Sequence, residues 1–138
     1  MNKERLLELA DLLETEKVAK HFDMNEYFAG PDIIRMSAYN LGDALDNCKA
    51  VACIAGWTVA KFDPKTPIKY GEVKERAQEL LDITEESANA LFTPDQEFVS
   101  WKSISPSDAA RAVRTLAETG SVDWSWHPDY QECEDDED

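Results

Sequence analysis

Three cysteines and two histidines hold most of the nucleophilic and metal-binding capacity of this 138-residue chain: Cys48, Cys53, Cys133, His21 and His127. Two of them, Cys48 and Cys53, lie in the run DNCKAVACIAGWTVAKF, residues 46–62. Read as one helix over 47–62, that run places the pair about 140° apart around the axis and about 7.5 Å apart along it. A disulfide inside such a helix is excluded, because bridged Cα atoms sit closer than about 7 Å. Zinc is disfavoured too. The pair has C-x4-C spacing, but Lys-Ala-Val-Ala separates it where turn residues are wanted, and no second pair follows. The simplest reading makes Cys53 a small buried hydrophobe and places Cys48 at the helix start, with neither bridged nor metal-bound. A thiol- or metal-dependent activity would have to draw on Cys48, Cys53, His21 or His127. No cofactor is expected.

Other chemistry meets similar obstacles. No G-x-S-x-G, H-E-x-x-H, P-loop or G-x-G-x-x-G occurs. The segment DMNEYFAGPDII fails as a calcium loop: Tyr27 replaces an oxygen ligand, Phe28 the glycine and Ile34 the bidentate glutamate. Carboxylate pairs such as Asp82 with Glu85 or Glu86 are what 29 acids produce by chance on solvated faces. His21 beside Phe22 reads as packing or helix-end charge. His127 lies between Trp126 and Pro128, a setting in which a histidine is more often structural than functional.

The charge is more informative. The formal net charge is −15. Residues 129–138, DYQECEDDED, hold seven acids and no base: Asp129, Glu132, Glu134, Asp135, Asp136, Glu137 and Asp138. Without them the body keeps 22 acids against 14 bases, a net −8. Direct nucleic-acid binding needs a basic footprint, and an anionic membrane surface attracts positive charge. Neither partner is expected. A basic or nucleic-acid-binding protein is the partner that this charge suits. The tail has too little apolar surface to fold alone. Two readings follow for it, a solubilising segment or part of a DNA mimic whose carboxylates occupy a phosphate site. Trp124 and Trp126 join the tail acids as candidate interaction residues.

The elements that would carry these groups are mostly helical. Leu6, Leu9, Ala10 and Leu13 fall at helical spacing, predicting a helix over 3–20. Residues 33–45 read equally as a short strand, an irregular packed segment or a helix. In the cysteine helix, Ala52, Gly56 and Ala60 are spaced by four and form a small-residue stripe. Such a stripe invites a second helix to approach closely, and Ile54, Trp57 and Val59 cover the other faces, so this helix is expected to be central. A third helix is predicted over 71–82. Thr84 caps a fourth over EESANALF, and a short turn at Ile83-Thr84 joins the two in the outline of a helix-turn-helix whose second helix is too acidic for a major groove. The best-punctuated helix has Ser105 as cap, Pro106 in its first turn and Gly120 past its end. The alternation Val122, Trp124, Trp126 suggests a short strand or an extended aromatic clamp. The expected architecture is mainly α, a small single-domain bundle of about five helices over 1–128, with room for a short strand or hairpin, followed by an acidic tail over 129–138. No run reaches the roughly 18 apolar residues of a membrane span. The charged amphipathic start does not read as a signal peptide, and three cysteines without an export signal point to a reducing cytosol.

Four segments, HFDMNEYF, CKAVACIAGW, LLDITEESANALFTPDQ and AARAVRTLAETGSVDW, resemble a group of uncharacterised small proteins of bacteriophages and bacteria. That group has a leucine-rich first helix, a C-x4-C-I-A-G-W central helix and a terminal TG-x-VDW element. The resemblance spans most of residues 5–126. It departs at CKAV, where a Cys-Gly-Thr start is common, and in a longer 29–46 segment. It implies a helical fold and a phage or bacterial origin, with no activity attached. Together with the charge, it suggests a non-enzymatic acidic interaction protein, an accessory factor acting on a host or phage protein in the bacterial cytosol.

Overall fold

A computed structural model describes residues 1–31, 33–34, 36–46, 49–94 and 103–128. The described residues contain seven α-helices: α1 (Lys3–Leu13), α2 (Glu16–Ala19), α3 (Leu41–Ala44), α4 (Ile54–Phe62), α5 (Val73–Leu81), α6 (Glu85–Phe92) and α7 (Pro106–Thr119). A 3-10 turn over Tyr70–Glu72 leads into α5. The fold is mainly α, as expected, and five of the helices have eight or more residues. The other two are single turns. None is long and apolar enough to cross a membrane.

The first helix is shorter than its leucine pattern suggests. The α1 ladder ends at Leu13, where the Glu14 N–H donates to Asp11 and Leu12. The Thr15 hydroxyl then donates to the Leu12 carbonyl at 2.7 Å. Thr15 is extended and opens α2 as a separate turn. Local hydrogen bonding from a threonine competes with the helix.

α1 packs along α7; α1 buries Leu6, Leu9, Ala10 and Leu13, and α7 buries a face that includes Ala109, Ala110, Val113, Leu116 and Ala117. Small alanines on one side and leucines on the other let the two helices interlock. The Arg114 guanidinium ties the pair, donating to Asp11 at 2.8 Å and to both Glu14 oxygens at 2.8 Å. α7 has the predicted punctuation. The Ser105 hydroxyl accepts from the Asp108 N–H at 3.1 Å, the Asp108 carboxylate accepts from the Ser105 N–H at 3.0 Å, and Gly120 ends the helix at φ 82°. Thr84 caps α6 as expected, accepting from the Ser87 N–H at 3.1 Å.

The central helix is corrected. α4 begins at Ile54, and the residues before it are extended. Ala29 and Val51 exchange two backbone hydrogen bonds of 2.9 Å. Ala52 donates to His21 at 3.0 Å and accepts from Asp23 at 3.0 Å, and Cys53 donates to Glu26 at 2.8 Å. Residues 21–29 thus form a strap alongside 50–53, meeting it in isolated bridges. The backbone donors that a longer helix would have used internally are spent on the strap. α4 itself is central: Ile54 through Val59 are all buried.

The strap also corrects the small-residue stripe. The backbone nearest Gly56 is that of the strap. A Cβ there would fall on the Tyr27 carbonyl oxygen and come within 2.7 Å of the Ala52 methyl. The absent side chain makes room for extended backbone. Of the stripe residues, Ala52 is buried but off the helix, while Ala60 is only half-buried. The described residues of the ambiguous 33–45 segment, 33–34 and 36–45, resolve into loop, an isolated bridge between Tyr39 and Ile68, and the single turn α3. One cluster of buried residues runs from Leu6 to Trp124.

Candidate functional site

The corner between α5 and α6 concentrates charge. On α5 and the turn before it, Glu72, Glu75, Glu79 and Asp82 face solvent, because Val73, Ala77 and Leu81 take the buried face. The αL conformation of Asp82, at φ 54°, ends α5, a geometry that Asp tolerates better than most residues. Two residues later Thr84 opens α6, whose first turn adds exposed Glu85 and Glu86. Six exposed carboxylates therefore fall within residues 72–86. Three of them, Glu75, Glu79 and Glu85, line an open groove of about 510 Å³ together with Gly71, Lys74 and Gln78.

Local structure explains part of this density. Glu72 accepts from the Lys69 N–H at 2.9 Å, closing the turn before α5. Glu85 and Glu86 meet the positive end of the α6 dipole. Arg76 turns sideways to Asp63 and lies 3.7 Å from Glu79. The Asp82 carboxylate lies 3.3 Å from the N-terminal ammonium. Glu75 and Glu79 project beside Lys74 into the groove. Repulsion among these charges is tolerated because they are hydrated and screened.

The residues singled out for chemistry do not converge. Cys53 is buried, with its thiol pKa pushed up to about 11. Burial dominates, against a smaller opposing pull from the N–H groups of Gly56 and Ala55 at the start of α4. A thiol so raised is almost wholly protonated at neutral pH and is a poor nucleophile and metal ligand. Cys48 and Cys133 lie outside the described residues. The His21 ring meets the Ala50 carbonyl at 2.8 Å, and its own carbonyl accepts from the Trp57 indole at 3.0 Å. This histidine joins the strap to α4. His127 is buried at 5% exposure and its Nε2 lies 2.9 Å from the Asp108 carboxylate. Among the described residues, no group of three or more His, Cys, Asp or Glu is placed to hold a metal ion.

The tryptophans divide. Trp124 is buried at 5% exposure and its indole donates to the Ala90 carbonyl at 2.9 Å, fastening the chain after α7 onto α6. Trp126 is half-buried, with its ring 6.0 Å from that of Trp124. Its indole donates to Asp123, and the Arg111 guanidinium stacks 4.2 Å from its centroid. Residues 121–128 form bends and turns, with no strand. The acids of the tail, Asp129 through Asp138, lie outside the described residues. Sequence reasoning missed the Asp108–His127 contact. Asp108 was legible as the acid three residues after a serine cap, but nothing local placed it near His127.

No family model, no curated protein and no solved structure matches this chain.

Proposed function

We propose that the protein is a non-enzymatic acidic interaction protein, a phage or bacterial accessory factor that binds a basic protein partner. The observation that carries this reading is the run of six exposed carboxylates at the α5–α6 corner of a chain with net charge −15. Such a surface accelerates encounter with a positive patch and rejects anionic competitors through like-charge repulsion. The buried, protonated thiol of Cys53 adds support by removing one candidate nucleophile. In the DNA-mimic form of the same reading, the partner is itself a nucleic-acid-binding protein.

The test is capture from bacterial lysate on immobilised full-length protein at low and high salt, with the corner reversed by Glu75→Lys and Glu79→Lys in parallel. Capture of a basic protein should weaken as salt shortens the Debye length from about 10 Å at 0.1 M to about 3 Å at 1 M. The reversed variant should lose most of it while keeping its melting temperature. Displacement of the captured protein by duplex DNA would assign the mimic form. A partner held equally well by the reversed variant, or at both salts, would overturn the reading.

A further inference from the structure

Three large apolar side chains are exposed among the described residues: Met1 at 50%, Ile34 at 65% and Met36 at 87%. Ile34 and Met36 share one turn. The Ser37 N–H donates to the Ile34 carbonyl at 3.0 Å, which places Met36 inside a hydrogen-bonded turn. The turn is braced at its base. The Ile34 N–H donates to the Tyr39 hydroxyl at 2.8 Å. Tyr39 exchanges backbone hydrogen bonds of 3.0 and 2.9 Å with Ile68, and its ring stands edge-to-face with that of buried Phe28, centroids 6.0 Å apart. Met24 is the opposite case: it is 2% exposed and belongs to the core cluster.

The chemistry of a thioether depends on access. Its sulfur carries a lone pair at every pH, with no proton to lose first. That lone pair attacks one oxygen of a peroxide. The O–O bond breaks, an S–O bond forms and, for hydrogen peroxide, water leaves. The sulfur gives up two electrons and the peroxide takes them. The product is a polar sulfoxide in place of an apolar thioether. In the core, at Met24, that group would be buried without a partner and would destabilise the fold. At Met36 it enters solvent. The bonds that hold the turn come from the Ile34 and Ser37 backbone and from Tyr39, so they do not involve the Met36 side chain.

We propose that Met36 is a reversible oxidation site, which takes one oxygen atom from hydrogen peroxide and turns the apolar tip formed by Ile34 and Met36 polar while the fold is kept. Reversal uses a dithiol, through a methionine sulfoxide reductase: the sulfoxide returns to the thioether, the dithiol becomes a disulfide, and the oxygen leaves as water. The site shares no residue with the α5–α6 corner and does not depend on the partner proposed for it.

The test exposes the full-length protein to hydrogen peroxide and follows each methionine by mass spectrometry after cleavage at lysine and arginine. Met1, Met24 and Met36 then fall in separate peptides, and fragmentation distinguishes oxygen on Met36 from oxygen on Cys48 of the same peptide, residues 36–49. Met36 should oxidise at least about tenfold faster than Met24, which reacts only when the core opens. In unfolding urea the two rates should converge. The oxidised protein should keep its melting temperature and leave a hydrophobic-interaction column earlier than the untreated protein. Met36→Gln should elute early without peroxide, and Met36→Leu should lose most of the peroxide-induced shift. Methionine sulfoxide reductases of both stereospecificities, with dithiothreitol, should restore the original retention. Native Met24 oxidising as fast as Met36, a melting temperature that falls as Met36 is oxidised, a full shift in Met36→Leu, or a Met36 sulfoxide that the reductases leave in place would each overturn the proposal.

Discussion

α7 and the segment 46–62 each hold four alanines, more than any other stretch predicted as helix, and the structure treats them differently. α7 runs from Pro106 to Thr119, as its punctuation predicts. The alanine run before α4 becomes extended backbone, and the helix starts at Ile54 rather than at 47. Alanine favours helix in both, although 46–62 also holds weaker formers such as Val51, Cys53, Gly56 and Thr58. The clearer difference lies in the ends. α7 carries a reciprocal cap between Ser105 and Asp108, a proline in its first turn and a left-handed glycine after its last. All of these act within a few residues of the helix. Residues 50–53 carry no such start signal and lie where the strap offers a complete set of backbone partners. Where local punctuation is strong it sets the boundary, and where it is weak tertiary pairing does.

The largest effect should come from breaking the strap's fit. Gly56→Ala places a methyl on the Tyr27 carbonyl, where no side chain can rotate away. A loss of about 1–3 kcal/mol, read as a lower urea midpoint, is expected from such overpacking. Gly71→Ala is the control, because a Cβ there meets nothing within 4 Å. It should leave stability unchanged or raise it by a few tenths up to about 1 kcal/mol. If Gly56→Ala behaved like Gly71→Ala, the strap would not sit on α4 as described.

A smaller effect should follow from removing the local signal at α7. Ser105→Ala deletes the side-chain acceptor for the Asp108 N–H. A loss of about 1 kcal/mol is typical for a cap of this kind. It should shift the melting temperature without loosening the strap, so amide exchange at Val51 and Cys53 should match wild type at equal distance from the unfolding midpoint. Faster exchange there would mean that the two regions are not independent.

The smallest effect is electrostatic and depends on pH. Hydrogen bonding to Arg114 holds the Glu14 carboxyl below its ordinary 4.5, against a smaller opposing effect of desolvation. A carboxyl depressed on folding stabilises the native state above its unfolded pKa, and that contribution fades as pH falls through the folded value. Arg114→Gln should therefore be less stable than wild type at pH 7, with the gap closing below pH 4.5. The groups are exposed, so added salt should also narrow it. A gap that is constant from pH 7 to pH 3 would show that Arg114 acts through its packing on α1 rather than its charge.

Much of the architecture was legible in particular residues. The 3.6 periodicity of Leu6, Leu9, Ala10 and Leu13 marks the buried face of α1. Thr84 and Ser105 mark two helix starts, and Gly120 marks one end. The acidity of the α5–α6 corner was visible as composition, though its carboxylates read as chance pairs until α5 and α6 placed all six on exposed faces. Thr15 was read through as helix because nothing in its side chain distinguishes a threonine that faces solvent from one that bonds the preceding turn.

The helical class, the caps and the sign of the surface follow from the residues alone, because periodicity, capping and charge act over a few residues or add without regard to position. Tertiary structure alone decided that Gly56 receives a carbonyl rather than a helix, and that residues 50–53 pair with a strap. It also brought Tyr27, Tyr70 and Phe92 to one pocket. These contacts join residues 22 to 65 positions apart in the chain. No local propensity encodes a partner so distant. Only the closing of the loops between them shows which backbone groups and rings come to share a space.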